Sequence, residues 1–246
     1  MTMLAPAGNE ASQLEARSRI YKILTEALQY PSGGVMHTAA ELIRKELPSA
    51  VRALPRGYRL KRGLQQLIRS LPTREVEVLS LQRQYNLLFG PGEANVCAPY
   101  EPEYYTSNIF ARAHQLADIA GFYKAFGLRA SSLERPDFIG SELEFMYVVT
   151  LSEQLAFHQA HTEHREICRD AATKFLRDHL GRWTSTFSAA LARAGGSGYY
   201  GTLAAFTSRF VEDECVYLSI RPLRVKSGGP SVSRAEPFAC PAAAPE

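Results

Sequence analysis

The chain has 246 residues, a formal net charge of +3 and an apolar fraction of 46%. This length and apolar content are enough to bury a sizeable core, which excludes a chain that is disordered throughout. No stretch of about 18 apolar residues occurs, and no apolar run follows a basic start, so we expect neither a membrane span nor a secretory signal. The four cysteines lack the paired Cys-x-x-Cys spacing of zinc and iron–sulfur sites. We therefore expect reduced thiols in a cytoplasmic protein.

Charge is distributed unevenly along the chain. Residues 90–163 hold ten acidic and four basic side chains, although the whole chain is positive. An acidic middle can attract a cationic peptide. The basic residues elsewhere are scattered among apolar positions without a helix-turn-helix, zinc-finger or aromatic RNA-binding signature. We therefore expect no nucleic-acid partner.

Apolar residues recur with helical periodicity from residue 12 to about residue 221, and no segment alternates as a half-buried strand does. The pattern predicts an all-α fold, with one helical domain over residues 12–221. Residues 1–11 are predicted to be a flexible N-terminus. Residues 222–246 contain five prolines and no periodic apolar face, so we expect a disordered tail.

The predicted helices follow one another with clear end signals. The first begins with the capping-box spacing of Ser12 and Glu15 and ends before Pro31. The next helices are expected near residues 35–47, 57–71, 73–90 and 109–126. Another begins at Pro136, and the last two cover about 163–194 and 199–220.

Residues 91–106 read as an extended loop, because three prolines and three tyrosines replace any periodic pattern. Tyr100 and Glu101 are expected to lie on an exposed groove there. Tyr85 and Phe89 on the preceding helix are candidates either for the core or for the same groove. The loop is therefore a candidate binding segment.

Residues 135–146 join a proline turn to a helix rich in carboxylates. Pro136 suits the first turn of a helix, where its missing N–H costs nothing. Asp137, Glu142 and Glu144 then place negative charge at the positive end of the helix dipole. From the residues alone, these carboxylates either stabilise the helix start or receive the basic part of a peptide.

These residues resemble a known family motif. Residues 136–146 are similar to Pro-Asp-His-Ile-x-x-Glu-Leu-Glu-Phe-Met of the TorD/DmsD/NarJ family of redox-enzyme maturation chaperones, with Phe138 in place of the histidine. Other family-like pieces occur in the expected order at 19–31, 84–91, 99–101, 122–128 and 175–183. The resemblance covers roughly residues 14–220.

The resemblance implies a non-catalytic helical bundle of the TorD/DmsD-like type. Such a chaperone binds the apo catalytic subunit of a molybdenum oxidoreductase and its twin-arginine leader, and assists insertion of the molybdenum cofactor before export. The cofactor belongs to the client, so the chain itself is expected to hold no cofactor and no metal. A carboxylate matches the planar fork of an arginine. The residues implied in client binding are Tyr85, Phe89, Pro99, Tyr100, Glu101, Asp137, Phe138 and Glu142, in a monomer or a homodimer.

Two alternatives remain open at this point. His158, His161 and His164 recur every third residue before Cys168, and the first alternative is a helical metal-dependent enzyme that uses these four residues. Steps of three on a helix rotate the outer histidines apart, so a shared metal ion is disfavoured and a solvated linker is the other interpretation. The second alternative is a stable structural subunit of an oxidoreductase complex. No nucleophile–base arrangement of an enzyme is visible.

Overall fold

The computed structural model describes residues 7–90, 97–105, 108–128, 135–194 and 198–225. Within these ranges the only extended pairing is an isolated bridge between Tyr100 and Phe138, so the prediction of an all-α fold is confirmed. None of the helices described there combines the length and the apolar character needed to cross a membrane. The helices are α1 (Ala7–Ala27), α2 (Gly33–Lys45), α3 (Leu47–Ala53), α4 (Lys61–Arg69), α5 (Glu75–Phe89), α6 (Ile109–Ala125), α7 (Ile139–His158), α8 (Thr162–Asp178), α9 (Leu180–Arg193) and α10 (Tyr199–Tyr217), with a 3-10 turn at Glu101–Tyr104.

The core is organised around α1 and α7, which form the most extensive helix pair, while α8 packs on α7 and α10 packs on α9. The apolar face predicted for α1 is buried, including Ile20 and Leu24. Leu143 and Val149 of α7 are likewise completely buried. Burial of these faces supplies most of the driving force for the bundle.

A buried ion pair ties α1 to two other helices. Arg17 of α1 is fully buried, and its Nε and Nη2 donate to Glu214 of α10 at 2.8 and 2.9 Å. Its Nη1 donates to Glu153 of α7 at 3.2 Å, and the hydroxyl of Tyr21 also donates to Glu214. Because the guanidinium is paired and hydrogen-bonded on both sides, its burial is tolerated.

Several helix boundaries differ from the predicted ones. Helix α3 was not predicted, and the helix predicted to begin at Pro136 begins at Ile139, because Phe138 is extended and pairs with Tyr100. The first helix begins at Ala7 rather than at Ser12, because Glu10 lies in its first turn and pairs with Arg165 of α8. The single helix predicted over 163–194 is wrong, since the chain breaks at His179, whose φ of −125° and ψ of −100° are not helical. The result is two helices, α8 and α9, that pack against each other.

The first residues after the bundle lie along α9. Arg182 Nε donates to the Leu223 carbonyl at 3.1 Å, and Val225 N donates to the Arg182 carbonyl at 3.2 Å. Thr186 Oγ1 donates to the Val225 carbonyl at 3.2 Å. The rest of the predicted tail, residues 226–246, lies outside the described residues, as do residues 1–6 of the predicted N-terminus.

Candidate functional site

The loop at residues 97–105 is held against the start of α7 by its backbone. Besides the bridge between Tyr100 and Phe138, two hydrogen bonds join the segments, from Glu101 N to the Asp137 carbonyl at 3.1 Å and from Ile139 N to the Pro99 carbonyl at 3.0 Å. The two segments that carry the family resemblance therefore form one unit. Pro99 is buried within it and Tyr100 is partly exposed.

Three side chains of this unit form a compact site, which we call the arginine site: Tyr100, Arg135 and Asp137. Arg135 Nε and Nη2 donate to Asp137 Oδ1 and Oδ2 at 3.0 and 2.5 Å, a bidentate pair. The guanidinium carbon lies 4.2 Å from the centroid of the Tyr100 ring. Asp137 is completely buried, whereas the Arg135 side chain is 47% exposed. The site thus combines a carboxylate fork with an aromatic face, both of which bind guanidinium well.

Hydrogen bonds to backbone carbonyls fix the turn that carries the arginine site. The Tyr123 hydroxyl donates to the Pro136 carbonyl at 2.7 Å. Ser141 Oγ and Phe138 N both donate to the Arg135 carbonyl at 3.2 Å. These bonds do not involve the Arg135 side chain, so they hold the turn whatever that side chain does.

Beneath the arginine site lies a group of polar side chains, which we call the buried polar cluster: Glu101, Glu142, His179 and Trp183, which are buried, and Asp118, which lies at its edge and is 53% exposed. His179 Nδ1 and Nε2 lie 3.1 Å from Glu101 Oε2 and from Asp118 Oδ2. Trp183 Nε1 donates to Glu142 Oε2 at 3.1 Å. Glu101 and Glu142 are completely buried, so the sequence-based expectation of an exposed Glu101 is wrong. The reason is that Glu101 pairs with His179, an interior residue of the α8–α9 junction.

The cluster shifts the protonation of two of its members. Burial and the nearby charge of Glu101 raise the pKa of Glu142 well above its usual value, against the hydrogen bond from Trp183. Burial disfavours the charged form of His179, but the hydrogen bonds and charges of Glu101 and Asp118 outweigh it and raise the pKa of the imidazole. Glu142 and His179 both therefore hold their protons more firmly than the free side chains do.

Tyr85 and Phe89 of α5 belong to the aromatic core beside the loop. Phe89 is buried, with ring centroids 5.0 Å from Tyr85 and 6.2 Å from Phe187. Tyr104 of the loop stacks on Trp183 at 5.3 Å and meets Phe187 at 6.4 Å. The ring contacts thus run without interruption from α5 to the buried polar cluster, and Phe89 serves as core.

Phe138, which stands where the family motif has histidine, packs over the first turn of α7. A Cβ placed on Gly140 would lie 2.4 Å from Phe138 Cε1, so the ring occupies the space that this glycine leaves. The Phe138 ring also lies 6.1 Å from the Tyr100 ring. Phe138 therefore extends the aromatic surface of the arginine site.

The structure brings most of the predicted site residues into one place. Five of them lie in the paired segments, namely Pro99, Tyr100, Glu101, Asp137 and Phe138, and Glu142 lies directly below. Arg135, His179 and Trp183 were not predicted as site residues. Arg135 carried a signal, since an arginine two residues before an aspartate in a proline turn is placed to pair with it. His179 and Trp183 lie in the family-like piece at 175–183, which did not indicate that they contact residues 101 and 142.

The histidine-rich segment does not gather into a ligand set. His158, His161 and His164 are exposed, while Cys168 is buried with its Sγ 3.8 Å from His164 Nε2. Within the ranges that the structure describes, no three His, Cys, Asp or Glu side chains are grouped so as to hold a metal ion. Nothing in this segment favours the metal-dependent alternative.

Comparison with known proteins adds one finding. The model of a family described as "Nitrate reductase delta subunit" matches residues 53–189, which is more than half of the chain. The matched range contains both paired segments, the arginine site and the buried polar cluster. A search of the curated proteins finds no match.

Proposed function

The chain belongs to the nitrate reductase delta subunit family, a family of molybdoenzyme assembly chaperones, and we propose that it binds the apo catalytic subunit of a molybdenum oxidoreductase together with its twin-arginine leader. In this proposal the chain acts in the cytoplasm and holds the client while the molybdenum cofactor is inserted before export. The chain itself is not an enzyme and carries no cofactor. The molybdenum cofactor belongs to the client.

The observation that carries the leader-binding part is the arginine site. A leader needs a receptor that pairs its guanidinium groups and covers its apolar stretch. Asp137 and Tyr100 already bind one guanidinium in this chain, at 2.5–3.0 Å and 4.2 Å. Phe138 adds apolar surface next to them. These contacts supply both parts of the chemistry that a twin-arginine leader requires.

Capture from the native cell tests the chaperone role. The tagged chain is used as bait, and the captured proteins are identified and assayed for molybdenum. We expect a catalytic subunit of a molybdenum oxidoreductase that lacks its cofactor, because a chaperone releases the client once it is loaded. Capture of a cofactor-loaded enzyme at fixed stoichiometry would instead identify the chain as a structural subunit.

Replacing one carboxylate tests the leader-binding part. In Asp137→Asn the shape is kept but the charge is lost, so affinity for a synthetic twin-arginine leader peptide should fall by about 1–3 kcal/mol, the range of charge-assisted hydrogen bonds. Isothermal titration calorimetry measures the change. Asp178→Asn is the matched control, because Asp178 is also bound bidentately by a neighbouring arginine, at 2.6 and 2.8 Å, but lies outside the site. Equal affinity of both variants and the parent would remove Asp137 from the leader site.

A further inference from the structure

Arg135 occupies the position that an incoming arginine would need. Its two nitrogens take both oxygens of Asp137, and its planar face covers the Tyr100 ring. A second guanidinium cannot bind this carboxylate in the same way while Arg135 remains. We propose that Arg135 is an internal competitor that fills the arginine site in the free chaperone and is displaced by an arginine of the client peptide. This inference rests on the proposed function, and it describes how access of a peptide to the arginine site is regulated.

The surrounding contacts allow the side chain to leave without unfolding the turn. The Arg135 carbonyl keeps its bonds from Phe138 N and Ser141 Oγ, and the Pro136 carbonyl keeps its bond from Tyr123. The Arg135 guanidinium is about half exposed, so it returns to water when released. The buried Asp137 carboxylate, in contrast, needs a cationic partner at all times. Exchange of one guanidinium for another meets that need.

A second internal pair lies next to the first. Arg112 Nη1 and Nη2 donate to Glu103 Oε1 and Oε2 at 2.9 and 3.1 Å, again as a bidentate pair. Glu103 is close enough to Arg135 that its charge contributes to raising the pKa of that guanidinium. The carboxylates of these two bidentate pairs, Asp137 and Glu103, therefore both lie in the unit formed by the loop and the start of α7. This arrangement matches a ligand with two neighbouring arginines rather than one.

Internal competition lowers the apparent affinity for the peptide, which equals the intrinsic affinity multiplied by the fraction of molecules in which Arg135 has left the site. The Arg135 end of the pair is half exposed, so water screens its attraction for the buried carboxylate and lowers the free energy needed to open the site. Removal of the Arg135 guanidinium should therefore strengthen peptide binding only moderately, by roughly fivefold. The benefit of the competitor is selectivity, because a single basic side chain that lacks the planar fork cannot replace Arg135.

The test compares Arg135→Gln with Arg177→Gln, its matched control. Arg177 makes the same bidentate contact with its neighbour Asp178 but stacks on no aromatic ring of the described residues, and it lies on the surface. The probe is a fluorescein-labelled peptide with two adjacent arginines followed by an apolar stretch. We expect Arg135→Gln to bind it roughly fivefold more tightly than the parent, and Arg177→Gln to bind it as the parent does. Equal or weaker binding by folded Arg135→Gln overturns the inference.

A small probe keeps the inference separate from the proposed function. N-acetyl-arginine methylamide should raise the melting temperature of Arg135→Gln, by filling the vacated arginine site, and should leave that of the parent unchanged. The lysine and citrulline counterparts should have no effect, because neither offers a charged planar fork. If the arginine probe stabilises the variant but no leader peptide binds either protein, the arginine site is supported and leader binding is contradicted.

If the leader binds parent and variant equally and the arginine probe has no effect, leader binding is supported and internal competition is contradicted. Arg135→Lys, which keeps the charge beside Asp137, repeats the comparison should the glutamine variant not fold.

Discussion

His179 and Glu142 of the buried polar cluster determine whether the stability of the protein rises or falls with pH. His179 faces Glu101 and Asp118, while Glu142 faces Glu101 and Asp137, and the pKa of both His179 and Glu142 is raised in the folded protein. Each group therefore binds more protons in the folded than in the unfolded state at a pH between its two pKa values. Stability must fall as the pH rises through that interval. The stabilising contribution of His179 is complete below its unfolded pKa of 6.5 and is lost as the pH passes its folded pKa.

We expect the melting temperature of the parent to fall as the pH rises above 6.5, the unfolded pKa of His179, and through its raised folded pKa. The melting temperature of Glu142→Gln should depend less on pH, because the introduced amide is always neutral. His179→Gln should remove the part of the pH dependence that comes from the imidazole. His164→Gln, at an exposed position, is the control. Thermal melts followed by circular dichroism measure the profile, and a melting temperature that rises with pH would contradict the assignment.

At the scale of the elements, periodicity and end signals identified most of the helices but neither α3 nor the break at His179. The apolar residues of α8 and α9 continue with the same period on either side of the break, so the pattern read as one helix. The break is caused by tertiary contacts, because His179 turns inward to reach Glu101 and Asp118. Such contacts between distant residues leave no trace in a local pattern. The burial of Glu101 likewise left no trace in the local pattern. The pairing of the loop at 97–105 with the motif at 136–146, in contrast, was predictable in outline from the family resemblance.

Gly181, just after this break, offers a test of the junction. A Cβ added there would lie 2.3 Å from the Leu176 carbonyl oxygen and 3.0 Å from Cys215 Sγ. Gly181→Ala should therefore lower the free energy of unfolding by about 1–3 kcal/mol, the usual cost of overpacking. Gly121→Ala is the control, since nothing lies within 4 Å of the added Cβ and alanine favours a helix interior by about 1 kcal/mol. Urea denaturation measures both, and a neutral Gly181→Ala would show that the junction relaxes freely.

At the scale of the whole molecule, Arg17 links helices from both ends of the chain. Its partners Glu153 and Glu214 lie on α7 and α10, 136 and 197 residues away along the sequence. An arginine in an apolar helix face predicted no such role, and only the assembled bundle explains its burial. Removing the guanidinium leaves two carboxylates inside the protein without their cation.

Arg17→Met should lower the free energy of unfolding by about 3–5 kcal/mol. The neighbouring Arg19 provides the contrast, because its ion pair with Glu15 is exposed and such pairs contribute less than about 1 kcal/mol. Denaturation of Arg17→Met and Arg19→Ala in urea gives the two values side by side. A similarly small loss of unfolding free energy in both variants would mean that the buried ion pair of Arg17 contributes little to stability.

The chain end gives a second prediction at this scale. Truncation after Val225 should leave the melting temperature unchanged, because the proline-rich remainder cannot bury enough apolar surface to offset its ordering. Truncation after Arg221 also removes the contacts of Leu223 and Val225 with α9, and should lower the free energy of unfolding by about 1–3 kcal/mol. Differential scanning calorimetry of the two truncated chains measures their melting temperatures and so tests both expectations. A fall in melting temperature for the longer one would place a structural role in residues 226–246.

The pairing of Glu101 with His179 has a consequence for synthesis of the protein. The two residues are 78 positions apart, and Trp183 and Glu142 are 41 apart. A domain is made from its N-terminus on the ribosome, and contacts of long sequence separation form late because the intervening loop must close first. While α9 is still being translated, Glu101 and Glu142 lack the His179 and Trp183 side chains that bind them in the folded protein. We therefore expect the buried polar cluster to be incomplete in a nascent chain that ends before His179, and to form only after α9 has been synthesised.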